Sequence, residues 1–364
     1  MKSTLRLLAA VLVGSVPWMA QAELKTENVI LVTLDGLRWQ EVFGGLDSRL
    51  ANQNVGNVRD IRSLRERFKR DTPEEQREAL LPFFWSTLLK EGQIWGDPDS
   101  KSTVMLENDQ VFSYPGYNEI LSGFPDPEIK SNAKKQNLNV TVLEWVNQQE
   151  DFQGRVEAFC SWDVFPFIIN EERSGVPVNA GWEHFENMGD AALQKTLNTV
   201  TDEMAHFWPG IRIDWITHEG VLDAMRHRKP RLLYVGYGET DDWSHDGRYD
   251  MYLDAANRTD RYIQDLWELA QSIPEYAGKT SIVITTDHGR GDEYPEWKNH
   301  GKNVEGAKQI WFAVIGPDTP SKGLVKKGDI VQGQTAATVA ALLGLDYAKA
   351  YPKARPPVKD AVGR

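Results

Sequence analysis

The stretch Asn28-Val-Ile-Leu-Val-Thr-Leu-Asp-Gly36, NVILVTLDG, decides the fold. Its first seven residues form one apolar, β-branched run with no polar alternation. A strand wetted on one face alternates; a strand buried on both faces does not. Asn28–Leu34 therefore reads as an interior strand of a parallel sheet. Three later runs share the pattern: Arg231–Tyr237, Thr280–Thr286 and Gln309–Ile315. Amphipathic helical patterns lie between them, over 72–92, 191–207, 252–271 and 335–343. The first opens on Thr72-Pro-Glu-Glu, a capping residue, a first-turn proline and two acids, and Gly92 closes it. Strands alternating with helices define an α/β fold: a mostly parallel central sheet flanked by helices.

Lys2 and Arg6 precede the apolar run Leu7–Val13, and Ala20-Gln21-Ala22 supplies a small-x-small cleavage signal. Residues 1–22 read as a secretory signal peptide cleaved near Ala22, and the protein is expected in the periplasm or secreted. No later run is long and apolar enough to span a bilayer. Residues 23–349 are expected to form one catalytic domain. Two insertions, about 50–72 and 150–228, would cap a site, and 350–364 would be a surface tail.

The whole chain carries 41 basic and 53 acidic residues, net −12; without Lys2 and Arg6 the balance is 39 − 53 = −14. So acidic a protein lacks the basic surface that nucleic-acid binding requires. Cys160 is the sole cysteine, so no internal disulfide holds the chain together. It lies in a strand-like run and reads as a buried, inert thiol.

The chemistry collects where the strands end. The first runs into Asp35-Gly36, the second into Asp241-Asp-Trp-Ser-His245, the third into Asp287-His288-Gly289. Asn299-His300-Gly301 comes shortly before the fourth. In open α/β sheets the carboxyl ends of strands converge on the ligand crevice. Asp35, Asp241, His245, Asp287, His288 and His300 are therefore expected to meet. Three carboxylates and three imidazoles are enough for two divalent metals; mixed Asp and His ligands suit Zn²⁺, with Mn²⁺ the alternative. The remaining histidines, 184, 206, 218 and 227, have no such neighbours and read as structural or surface groups.

Val111-Phe-Ser-Tyr-Pro-Gly-Tyr-Asn-Glu-Ile-Leu-Ser-Gly123 places Ser113 just before a helix. Pro115 suits a first helical turn, and a helix N-terminus favours anions. Ser113 is either an N-terminal cap or a hydroxyl that a nearby metal would activate as a nucleophile; this stretch by itself favours the cap.

Together these blocks resemble the alkaline phosphatase superfamily, and within it the type I nucleotide pyrophosphatase/phosphodiesterase branch, over about residues 27–346. The resemblance implies a metal-dependent phosphoric ester hydrolase that works through a covalent phosphoserine on Ser113. It implies one metal held by Asp35, Ser113, Asp287 and His288 and another by Asp241, His245 and His300. It also implies that Asn132 holds a phosphate oxygen. Three departures stand out: Ser113 replaces the branch's usual Thr, Gly116-Tyr117 replaces a frequent Asn-His, and the loop before Asn132 is shorter than usual. The substrate would be a small phosphate ester.

Other readings are a sulfatase, a phosphotransferase or phosphoglycerate-mutase-like enzyme, and a binding protein with a degenerate site. A sulfatase's modification motif ends in Arg, where this chain has Tyr117, and its oxygen-rich calcium site has no need of His245 and His300 together.

Overall fold

The computed structural model describes residues 24–363; the expected signal peptide lies outside them. Eleven strands occur in chain order: β1 (Asn28–Leu34), β2 (Gly92–Trp95), β3 (Ser102–Met105), β4 (Val156–Cys160), β5 (Val178–Ala180), β6 (Leu232–Tyr237), β7 (Thr280–Thr285), β8 (Gln309–Ile310), β9 (Phe312–Ile315), β10 (Gly323–Leu324) and β11 (Gly328–Val331). Eight form the central sheet in the order β10-β2-β9-β7-β1-β6-β4-β5, and β11-β3-β8 form a small second sheet. β1 runs parallel to β6 and β7, and β4 parallel to β6 and β5. β9 is antiparallel to both of its neighbours. The architecture is the expected one, α/β around a mostly parallel sheet.

β1 is buried along its whole length. Its even and odd side chains feed two separate cores. Ile30, Val32 and Leu34 belong to one, with Val42, Leu253 and Ile284. Val29 and Leu31 belong to the other, with Ile120, Leu143 and Val339. Helices therefore cover both faces, which is why β1 shows no polar alternation. The register pairs Leu34 with Tyr237 and Thr33 with Thr285, so β7, β1 and β6 end side by side.

The expected helices are present with shifted ends: Pro73–Leu80, Ala191–Glu203, Tyr249–Ser272 and Gln334–Leu342. The first carries the capping box that its sequence announces, with Thr72 and Glu75 satisfying each other's backbone N–H. It stops at Leu80, and a π-helical turn at Phe84–Leu88 follows. The run Gln309–Ile315 is divided at Trp311 between the two sheets.

Two expectations need correction. Residues 150–228 are not a separate insertion: they supply β4 and β5, which extend the central sheet, and the long helix Asp214–His227. Residues 350–364 do not form a simple surface tail. Ala354, Val358, Ala361 and Val362 are buried against the core, and their small or branched apolar side chains are what hold this proline-rich segment down. Cys160 is fully buried in β4, and burial pushes its thiol well above the ordinary value. Among the described residues, no helix is long and apolar enough to cross a membrane.

Candidate active site

Three adjacent strand ends deliver the acidic groups. Asp35 follows β1 and Asp287-His288 follow β7. The short helix Glu239–His245 after β6 presents Asp241 and His245 one turn apart. His300 arrives from the loop after β7. The helix Ser113–Ser122, here the serine helix, follows β3 along the chain.

His288 is the hub, with no exposed surface. Its Nδ1 lies 3.0 Å from the Gly289 carbonyl, which fixes the proton there and leaves Nε2 as a lone pair. That Nε2 stands 3.4 Å from Asp35 Oδ1, 3.4 Å from Asp287 Oδ2, 3.5 Å from Ser113 Oγ and 3.8 Å from Asp241 Oδ1. Asp241 Oδ2 is 3.3 Å from His245 Nε2, and the Nε2 atoms of His245 and His300 face each other at 3.0 Å. The six expected Asp and His residues and Ser113 thus form one continuous cluster. Asp35, Asp287 and His288 make one compact set of ligand atoms; Asp241, His288 and His300 make another.

Ser113 is the first residue of its helix, and the N-cap position is Phe112, with no side-chain cap. The hydroxyl is not spent on capping; its hydrogen-bonding neighbour is His288. Asn132 meets the next residue of the serine helix: its Oδ1 accepts the Tyr114 backbone N–H at 2.9 Å. That contact turns the Asn132 amide donor group away from Tyr114 and leaves it free to donate elsewhere.

The departures at 116 and 117 have physical reasons. A Cβ on Gly116 would stand 2.4 Å from the Asp287 carbonyl oxygen, so only glycine lets the serine helix approach the Asp287 backbone this closely. Tyr117, fully buried, donates its hydroxyl to Asp35 Oδ2 at 2.9 Å.

The electrostatics ask for cations. Asp35 Oδ1 and Asp287 Oδ2 are buried without a hydrogen-bond partner. Burial raises the pKa of both carboxyls, and for Asp35 the charge of Asp287 raises it further. Burial lowers His288 and His245, and it lowers His300 together with the charges of His288 and Arg290. Orphaned carboxylate oxygens facing neutral imidazole lone pairs are a donor set that fits divalent metal ions.

Two arginines flank the cluster, Arg38 with a partner close in sequence and Arg290 with partners from three segments. Arg38 pairs with Glu41 in full burial and donates to the Gly291 carbonyl. Arg290 donates to the carbonyls of Gly36, Lys298 and Asp241 and to Asp241 Oδ1. It ties together three segments that carry candidate ligands. Its place directly after Asp287-His288-Gly289 is the one signal in the sequence that points to it.

The other four histidines have separate partners. His184 faces Asp202, His206 stacks on Trp182, His218 contacts the Tyr237 hydroxyl and His227 stands near Asp223.

The fold is alkaline-phosphatase-like. The structure resembles the alkaline phosphatase PafA with a TM-score of 0.60 at 9% identity, covering 94% of this chain and 100% of that one. It resembles the phosphonate monoester hydrolase of Agrobacterium radiobacter with a TM-score of 0.56 at 10% identity, over 93% and 77% of the two chains. The lipoteichoic acid synthase LtaP of Listeria monocytogenes gives 0.56 at 10% identity, over 88% and 72%.

Residues 91–307 match the type I phosphodiesterase / nucleotide pyrophosphatase family, and the chain belongs to it. Among curated proteins, GPI ethanolamine phosphate transferase 1 of Aspergillus oryzae is 22% identical over 90% of this chain. A 2,3-bisphosphoglycerate-independent phosphoglycerate mutase of Gracilaria tenuistipitata var. liui is 22% identical over 35% of it. The chain spans 30% and 24% of those relatives' own lengths.

Proposed function

We propose that this protein is an exported, two-metal phosphodiesterase in which Ser113 is the nucleophile. The observation that carries the reading is the Ser113 hydroxyl: it is uncommitted to capping, stands at a helix N-terminus, and lies 3.5 Å from His288 within the carboxylate–imidazole cluster. Asp35, Asp287, His288 and Ser113 would hold one divalent ion, and Asp241, His245 and His300 the other, with Zn²⁺ or Mn²⁺ as the candidates. When bound, such ions lower the pKa of a nucleophilic hydroxyl and offset charge on phosphoryl oxygens.

Ser113 Oγ attacks phosphorus, the bond to one alcohol breaks, that alcohol leaves with the hydroxyl's proton, and Ser113 carries the remaining ester-phosphoryl group. Water then cleaves the P–O bond to Ser113, which restores the hydroxyl and releases a phosphate monoester. The N-terminus of the serine helix and the Asn132 amide favour charge on the phosphoryl oxygens. Tyr117 holds Asp35, and Arg290 holds Asp241, in place.

A diester fits better than a monoester. A monoester brings an additional anionic oxygen, which calls for a free cationic side chain. Arg38 and Arg290 are both buried and committed to protein acceptors. Export rests on the signal-peptide pattern of residues 1–22.

The test compares bis-p-nitrophenyl phosphate, p-nitrophenyl phosphate, a phenylphosphonate ester and p-nitrophenyl sulfate with Zn²⁺ and Mn²⁺. The diester is expected to turn over fastest and Ser113→Ala to be inactive. Undiminished activity in Ser113→Ala refutes the nucleophile; a preference for the sulfate ester refutes the reaction class.

A further inference from the structure

The loop that leads into the serine helix contains a residue in an unfavourable conformation. Val111 has φ +55°, and a β-branched side chain rarely adopts that left-handed region. Such outliers persist only where their surroundings over-determine them. Here the surroundings do. The Val111 side chain is buried, 1% exposed. Its N–H donates to Asn108 Oδ1 at 2.8 Å. Asn108 is locked in turn: its backbone N–H and its Nδ2 both donate to Glu119 Oε2 at 2.9 Å. Glu107 N–H donates to Glu119 Oε1 at 2.9 Å. Glu119 is fully buried and belongs to the serine helix itself.

What this strained backbone presents is its carbonyl. The Val111 oxygen lies 3.1 Å from His300 Nδ1. Were Nδ1 unprotonated, its lone pair would face the carbonyl lone pairs. The contact therefore places the proton on Nδ1 and leaves Nε2 open toward His245 Nε2, at 3.0 Å, and Asp241 Oδ1, at 3.8 Å. Two residues further along the chain is Ser113, the first residue of the serine helix.

We propose that Val111 is a positioning residue: its carbonyl holds His300 in the Nδ1–H tautomer and, through Asn108 and Glu119, fixes that ring relative to Ser113. The serine helix thereby anchors both the hydroxyl and the orientation of a histidine 189 residues further along the chain than Val111. Glycine would adopt φ +55° more readily but would lack the side chain that pins the loop in the core. The inference rests on the proposed function only in taking His300 Nε2 as a metal-facing atom.

The test begins with the metal-free protein. Long-range ¹H–¹⁵N correlation spectra, with His300→Gln to assign the ring, should show His300 protonated on Nδ1. Glu119→Gln places a donor beneath Asn108 and should give mixed tautomers. It should also weaken one of two bound Zn²⁺ ions by roughly 10–100-fold in competition with a chromophoric chelator, leaving the other unchanged. His300 protonated on Nε2 in the unaltered protein overturns the proposal, as does a variant with unchanged tautomer and affinities. If Glu119→Gln fails to fold, the tautomer of the unaltered protein decides alone. An Nδ1–H tautomer in a protein that binds no metal supports this inference while refuting the two-metal reading.

Discussion

Gly116→Ala inverts an ordinary expectation. Alanine in a helix interior is normally more stable than glycine by about 0.5–1 kcal/mol. Gly116 sits in the serine helix, where an added Cβ would stand 2.4 Å from the Asp287 carbonyl oxygen and 3.0 Å from its carbonyl carbon. Ordinary contact begins at 3.4 Å, so the first distance falls short by 3.4 − 2.4 = 1.0 Å. Neither side can yield cheaply, because both are backbone. The Asp287 carbonyl is further held by the Gln332 amide at 2.8 Å. The serine helix or the Asp287-His288 turn must therefore move by about 1 Å, the displacement that costs on the order of 10²-fold in rate when it separates reacting groups. Overpacking of this kind also costs about 1–3 kcal/mol. The assay is turnover of bis-p-nitrophenyl phosphate with Zn²⁺, kcat and KM determined separately, beside urea unfolding. A kcat lowered by roughly 10²-fold together with a loss, rather than a gain, of stability is expected. Full activity with a gain in stability would refute the close approach and its coupling to the chemistry.

Further predictions concern single groups. Tyr117→Phe removes the hydroxyl that orients Asp35 and should weaken metal binding by about 10–100-fold, read by chelator competition; unchanged affinity contradicts the role. Asp260→Ala strips acceptors from the buried N–H groups of Phe83 and Phe84 and should cost about 2–4 kcal/mol in urea unfolding. Burial raises the Asp260 pKa to about 7, above the unfolded value of about 3.9. The folded state then binds more protons across that window, so stability falls as pH rises from about 4 to about 7 and levels off above. Asp260→Asn should show a shallower fall over the same range, and an identical slope would contradict the assignment. Chelator treatment should lower the thermal midpoint, since bound metal at about 1,000 times its dissociation constant contributes about 4 kcal/mol; an unmoved midpoint speaks against resident metals.

The sheet is legible in the sequence where strands are buried on both faces. β1, β6 and β7 are such strands, and no partner information is needed to read them. The split of Gln309–Ile315 at Trp311 is not legible, because which sheet a short strand joins depends on distant hydrogen-bond partners. β4 and β5 go unplaced in the sheet for a further reason: three to five residues carry too little periodicity. The Asp and His cluster is readable because each member directly follows a strand or lies near one. The engaged arginines are not, since the acceptors of Arg290 are backbone carbonyls and one carboxylate from three segments. Val111 offers no warning either: glycine and asparagine advertise a positive φ, and valine does not. The burial of Ala354, Val358, Ala361 and Val362 is hidden behind prolines that suggest a loose tail.

The central claim is that Ser113 becomes covalently phosphorylated. Rapid acid quench during turnover of a phosphate diester, followed by intact-mass and peptide analysis, tests it most directly. The expected result is an adduct with the mass of the transferred phosphoryl or ester-phosphoryl group, confined to the peptide containing Ser113 and absent from Ser113→Ala. Turnover with no adduct on Ser113, or an adduct that survives in Ser113→Ala, would contradict it.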